Sequence, residues 1–286
     1  MNPTHTKGLT LVAISALLFS TPGLFTRAVD ANAWDVTFWR GIFGALFIGL
    51  LILARGRVKT ECSTVGWPGL AAAAIWASGS IAFIQSFKLT AIANVSMIYG
   101  SAPIMTALIA WLWFREKPRR IVLLASLAGF IGVIVIGIGS AGTVHLTGDL
   151  LAVWMTFTGA VGFAIFRRYP QTSAMGTTVL ASLVVLPVCW LFGDPGSVPF
   201  HEILILALFG VVFALAAVLM TEGSKFIPSS EAALISNLEV PIQPVLAWLV
   251  LSEVPPRATF LGGVLILLAI LASSWPRRER ALQTGT

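Results

Sequence analysis

Charge is what this chain has least of. Only 10% of its 286 residues are Asp, Glu, Lys or Arg, while 57% are hydrophobic. A water-soluble domain carries about 25% charged residues, so a soluble globular fold is excluded. No polar stretch between the apolar runs is long enough to fold as a separate domain. Cysteine is scarce: Cys62 sits in a basic loop and Cys189 in an apolar run, which rules out a disulfide framework or a structural metal site. His5, His145 and His201 fall in the tail and the loops, leaving no imidazole at membrane depth to activate a serine. No His/Asp/Glu cluster has metal-ligand spacing and no Walker-type loop is present. Neither an enzyme nor a cofactor is therefore expected.

What the chain does have is apolar length. A hydrocarbon core about 30 Å thick needs roughly 20 helical residues to cross it. Ten segments qualify, near Leu9–Thr26, Val36–Ala54, Trp67–Phe87, Ala91–Trp113, Ile121–Ser140, Gly148–Phe166, Thr177–Phe192, Ile203–Thr221, Ala232–Leu251 and Ala258–Ser274. They show no two-residue alternation, which excludes a barrel and leaves helices as the spanning structure. The run after Lys7, ending in Ser20-Thr21-Pro22-Gly23, has the outline of a signal peptide. Its length suits an uncleaved first span better.

The loops alternate in basic content. One set, including Lys7, Arg55, Arg57, Lys59, Arg115–Arg120, Arg167, Arg168, Lys225 and the tail from Arg277, holds 14 Lys and Arg. The opposite set holds only 3, Arg27, Lys88 and Arg257, and Arg40 lies inside the second span. By the positive-inside rule both termini face the cytoplasm, as an even number of spans requires. The expected location is a bacterial cytoplasmic (inner) membrane.

The fourth and ninth spans match at an offset of 138 residues, Pro103-Ile104 with Pro241-Ile242 and Pro118-Arg119 with Pro256-Arg257. Arg27 and Arg167 close the first and sixth spans at an offset of 140. Each half thus holds five helices; five is odd, so the second half enters the membrane with the opposite sense. The expected units are residues 1–140, residues 141–276 and a basic tail at 277–286. The fold class is all-α integral membrane, ten transmembrane helices as two inverted five-helix repeats around a central cavity, an architecture of secondary transporters.

Ser236-Asn237-Leu238-Glu239-Val240-Pro241, running to Leu251-Ser252-Glu253, resembles the signature of the EamA repeat in the drug/metabolite transporter superfamily. Ala102-Pro103 through Phe114-Arg115-Glu116-Lys117-Pro118 resembles its first-half counterpart, and Phe38-Trp39-Arg40-Gly41 also fits the pattern. The resemblance covers nearly the whole chain. It implies a cavity lined by helices 1, 3, 4, 6, 8 and 9, and the finer likeness is to YddG-type exporters of aromatic and other amino acids.

Candidate site residues follow from depth and spacing. A proline inside a helix frees the carbonyl four residues earlier, so Pro103 points to Tyr99 and Pro241 to Asn237, with Pro244 as a further kink. Glu239 lies roughly 10 Å into the bilayer, where a carboxylate costs about 2.5–3.5 kcal/mol and must face the bundle interior. Ser236, Glu239 and Gln243 share a helix face, as do Asn94, Met97, Ser101 and Met105 on the fourth span. Trp76, Ser80 and Phe83 of the third span, Trp154 and Thr158 of the sixth and Phe19 of the first complete the expected lining. Trp67, Trp113 and Trp275 fit the interfacial belt.

Gly137–Gly142 matches G-x-G-x-x-G but ends a membrane helix, so it reads as close helix packing rather than dinucleotide binding. Arg277, Arg278 and Arg280 read as a topology anchor, not a nucleic-acid patch. The expected partners are a small-molecule substrate (an amino acid or similar metabolite) and the lipid bilayer, with a monomer left open as the functional unit. The expected function is export of small amphipathic metabolites, amino acids including aromatic ones foremost, by alternating access; the alternatives are export of other metabolites, drugs or nucleobases within the same family, or a non-transporting receptor or scaffold.

Overall fold

The computed structural model describes residues 3–115, 120–139, 145–227, 232 and 235–274. The Pro118-Arg119 pair, the end of the glycine-rich stretch at 140–144, Pro228 to Glu231, Trp275 and the basic tail lie outside the described residues.

All regular structure among the described residues is helical. In chain order the helices are α1 (Pro3–Phe19), α2 (Pro22–Arg27), α3 (Ala33–Ala54), α4 (Val58–Leu89), α5 (Ile92–Tyr99), α6 (Ala102–Phe114), α7 (Arg120–Gly139), α8 (His145–Arg168), α9 (Ala174–Phe192), α10 (Phe200–Gly223), α11 (Glu239–Leu251) and α12 (Arg257–Ser274). Among the described residues, seven helical runs are long and apolar enough to cross a membrane, counting α1–α2 and α5–α6 as one run each. The apolar helices α7, α11 and α12 occupy the expected fifth, ninth and tenth spans. The chain is a multi-pass membrane protein.

Local sequence explains the interruptions. Pro22 has no N–H, and the first span breaks at Ser20-Thr21, restarting with the proline in the first turn of α2, where it is tolerated. The fourth span breaks at Gly100-Ser101, so Pro103 starts α6 rather than kinking a continuous helix. The ninth span turns at Asn237-Leu238 before α11. The third helix begins at Val58, earlier than its apolar run, and bends at Gly66, whose φ of +51° falls in the region that suits glycine.

Packing follows the duplication. α4 packs on α8 as α10 packs on α1, and α4 on α9 as α10 on α3. Three further contacts join counterpart helices directly: α3 with α9, α5 with α11, and α7 with α12. The last seam is reciprocal. Gly132 meets the Gly262 carbonyl and Ile266, while Gly262 meets the Gly132 carbonyl and Ile136. Backbones this close require glycine, the usual device where lipid supplies no hydrophobic drive between helices.

Candidate functional site

Two helix breaks from opposite halves meet inside the bundle. Tyr99 ends α5 and Glu239 begins α11; these two helices pack together, with Gly100 against Val240 where the breaks meet. Glu239 is 9% exposed, as its cost in lipid demands. One turn on, Gln243 joins three helices. Its Nε2 donates to the Phe19 carbonyl (3.2 Å) at the end of α1, and its Oε1 lies 3.0 Å from the Ser96 hydroxyl of α5. The same hydroxyl is 3.3 Å from the Val240 carbonyl, the group that Pro244 deprives of its helical donor. The freed-carbonyl argument therefore holds at Pro244. At Pro241 the Asn237 carbonyl is instead satisfied locally, by Val240 N–H at 3.2 Å.

Beside this junction stands an aromatic wall. The Phe19 ring meets Phe213 edge-on at 5.3 Å, and Phe83 lies 5.9 Å from Phe213 and 5.1 Å from Phe87. Behind it Phe209 stacks on Phe25 at 5.1 Å. Into the wall reaches Arg40 of α3, 8% exposed. Its guanidinium carbon is 5.0 Å from the Phe213 ring centre, 5.6 Å from Phe209 and 5.8 Å from Phe83. Its Nη2 donates to Ser80 Oγ, and its buried Nε has no acceptor among the described residues.

The two faces of the bundle are tied differently. On the charge-poor face Asp149 of α8 accepts from Thr90 Oγ1 at 2.7 Å and from Asn94 Nδ2 at 2.9 Å. Thr259 of α12 donates to Asn94 Oδ1, and Arg27 donates to the Thr90 carbonyl at 2.8 Å. Glu253 accepts from Ile92 N–H at 2.7 Å, an acceptor for one of the free amides at the start of α5. Arg27, Ala91, His145, Leu251 and Glu253 edge an open depression there. On the charge-rich face the links are ionic: Arg55 with Glu222 at 2.9 Å, Lys225 with Glu222 at 2.6 Å and Arg57 with Glu61 at 3.1 Å. Ser173 Oγ also donates to Glu61.

Of the residues expected from sequence, the structure gathers Tyr99, Glu239, Gln243, Phe19, Ser80 and Phe83 around the junction and its wall. Ser236 and Asn237 sit half-buried at the break just before α11. Ser101 is buried, with its hydroxyl turned back to the Ile98 carbonyl at 2.6 Å. Four others lie elsewhere. Asn94 is committed to the Thr90–Asp149–Thr259 network near the charge-poor face. Trp76 lies against Gly162 and Phe166, its ring 5.1 Å from the latter, inside the α4–α8 seam. Thr158 is in the same seam, against Gly79, and bonds the Met155 carbonyl at 2.8 Å. Trp154 is 48% exposed, on an outward stripe of α8 with Leu150 and Phe157. An aromatic residue at depth fills a helix seam or meets lipid as readily as it lines a path.

Sequence reading passed over Arg40 as a ligand-facing group, and with it Ser96, Phe209 and Phe213. A signal for Arg40 existed: it is the one Lys or Arg inside any expected span. Phe209 and Phe213, four residues apart, share a helix face.

Comparison with known proteins agrees with this architecture. The sequence model of the EamA-like transporter family matches residues 6–138 and again 146–275. The chain is 26% identical over 282 residues to the pseudopaline exporter CntI of Pseudomonas aeruginosa, covering 94% of this chain and 96% of that one. It is 26% identical over 190 residues to the uncharacterized transporter YxxF of Bacillus subtilis, where the match spans 62% of this chain and 60% of that one. A solved crystal structure superposes with a TM-score of 0.63 at 19% identity, over 94% of this chain and 96% of that one, a likeness of fold. Two matches in tandem, over nearly the whole length, decide the assignment: the chain belongs to the EamA-like transporter family, in the drug/metabolite transporter superfamily, and is a transporter rather than an enzyme.

Proposed function

We propose that this transporter exports small amphipathic metabolites, amino acids including aromatic ones foremost, across a bacterial inner membrane by alternating access. The moving units are the halves 1–140 and 141–276, and both termini face the cytoplasm. One observation carries the reading. The breaks of the fourth and ninth spans, equivalent by duplication, join Ser96 to Gln243 next to an aromatic wall, with Tyr99 and Glu239 at the two helix ends. Broken helices at the interface between inverted repeats are where transporters of this build hold their cargo. Polar groups at such a junction suit the ammonium and carboxyl ends of an amino acid, and Phe19, Phe83 and Phe213 suit a flat or aliphatic side chain.

In this reading the charge-poor clasp (Thr90, Asn94, Asp149, Thr259) and the charge-rich clasp (Arg55, Glu222, Glu61, Ser173) open alternately. Each joins one half to the other, and each must separate for the path to open on its side. The test is counterflow in proteoliposomes loaded with single amino acids, nucleobases or cationic drugs. Accumulation of labelled aromatic amino acid only in vesicles preloaded with amino acids supports the reading. Counterflow confined to nucleobases or drugs overturns the amino-acid assignment, and none with any compound overturns export of these classes.

A further inference from the structure

Among the described residues Arg40 is a cation without a counter-ion: no carboxylate there forms an ion pair with it, and Ser80 Oγ is the one hydrogen-bond acceptor it meets. Three phenylalanine rings, Phe83, Phe209 and Phe213, surround the guanidinium within 6 Å. Ring faces attract a cation, yet they supply no hydrogen-bond acceptor for Nε or Nη1. A buried, partly unpaired guanidinium is among the most expensive groups a membrane helix can carry. A role confined to packing would be met by an apolar residue of similar volume, or by an arginine with all its donors satisfied.

We propose that Arg40 is the subsite for a carboxylate of the cargo, an inference that rests on the export reading above and narrows it to monoanionic or zwitterionic molecules with an apolar body. The guanidinium offers a planar fork matched to two carboxylate oxygens. Its unused donors and its positive charge are what such a group completes. The body of the molecule then lies along Phe83 and Phe213. Phe19, which touches Phe213, has its carbonyl held by Gln243, so the carboxylate subsite is continuous with the junction of broken helices. One guanidinium balances one negative charge. A phosphate dianion would bring a second charge into an apolar wall with no other cation within contact, which selects carboxylate over phosphate.

The test uses the purified full-length chain in lipid nanodiscs and three probes with the same phenyl ring and three-carbon chain: 3-phenylpropionate, 3-phenylpropanol and 3-phenylpropylamine. Wild type is expected to bind the carboxylate at least about tenfold more tightly than the alcohol, in line with a charge-assisted hydrogen bond. Arg40→Gln is expected to abolish that preference and, by removing a like charge, to strengthen binding of the amine, and Arg40→Lys to keep part of the preference. Equal affinity of wild type for carboxylate and alcohol, or failure to bind any of the three, overturns the subsite. So does an Arg40→Gln protein that weakens all three alike, which would mark a packing role. Where Arg40→Gln does not fold, the wild-type probe series decides by itself. Counterflow of solutes without a carboxylate preference removes the subsite and leaves the transporter. A carboxylate preference without amino-acid counterflow removes amino-acid export and leaves the subsite.

Discussion

Asp149 offers a quantitative test of how the halves are clasped. Its carboxylate accepts from Thr90 Oγ1 and from Asn94 Nδ2, all three groups being buried at 3% exposure or less. Asp149→Ala takes the acceptor from two buried donors; Asn94 Nδ2 keeps Thr90 Oγ1 at 3.1 Å, so the Thr90 hydroxyl bears most of the loss. One orphaned group costs about 1–3 kcal/mol. Measured interhelical hydrogen bonds in membranes average only about 0.6 kcal/mol, so the lower half is the better figure, about 1.5–2 kcal/mol. At roughly 2–4 °C per kcal/mol for a chain of this size, the apparent Tm should fall by about 3–8 °C. Asp149→Asn keeps one carbonyl oxygen but turns an NH2 toward the other donor, and should lose about half as much. The assay is thermal unfolding in detergent, read by intrinsic tryptophan fluorescence, with hydrogen exchange at the start of α5 as a local report. Because the clasp joins the halves, exchange at Ile92–Val95 should rise before the remainder of the bundle responds. A Tm within 2 °C of wild type for Asp149→Ala, with unchanged exchange there, would refute the reasoning.

Further outcomes follow from other contacts. Gly132→Leu should prevent correct assembly, since its side chain would strike the Gly262 carbonyl and Ile266; Gly49→Ala, which meets nothing within 4 Å, should be neutral, and fluorescence-detected size exclusion separates the two. Trp76→Ala should destabilise by about 3–5 kcal/mol through the void left against Gly162 and Phe166, whereas Trp154→Ala, on the outward stripe, should cost far less; thermal unfolding ranks them. Gln243→Leu should cut counterflow at least about tenfold, because the Phe19 carbonyl and the Ser96 hydroxyl lose their shared partner, and full flux would remove Gln243 from the path. Arg55→Ala should change Tm by no more than its share of about 0–1 kcal/mol, since Arg55 and Glu222 are both partly solvated.

How far the sequence led depended on the range of the contacts involved. Span positions are local: an apolar run of membrane length leaves the backbone only the helix, so most of the expected helices are present. The breaks were half legible. Pro103 and Pro241 mark the fourth and ninth spans, whereas Pro22 reads as part of a signal-peptide outline, and nothing local shows that the first span breaks there and frees the Phe19 carbonyl for Gln243. Side-chain partners were the least legible. Arg40 meets Ser80, Phe83, Phe209 and Phe213, and Asn94 meets Asp149 and Thr259, across separations of 40 to 173 residues. Helical periodicity tells which face of one helix is special, not which neighbour it will meet. For the same reason Trp76, half-buried, and Thr158, buried, sit on plausible faces yet fill the α4–α8 seam opposite Gly162 and Gly79.

The first span is interrupted at Ser20-Thr21, while its counterpart α8 runs unbroken from His145 to Arg168. In a carrier made of two identical halves, exchanging their shapes would return the same molecule upside down, with both orientations equally populated at rest. Here one half contains a joint that the other lacks, so the exchange is not a symmetry operation. The inward- and outward-facing forms differ in energy by construction, and an idle molecule favours one side of the membrane even with no gradient to tell it which.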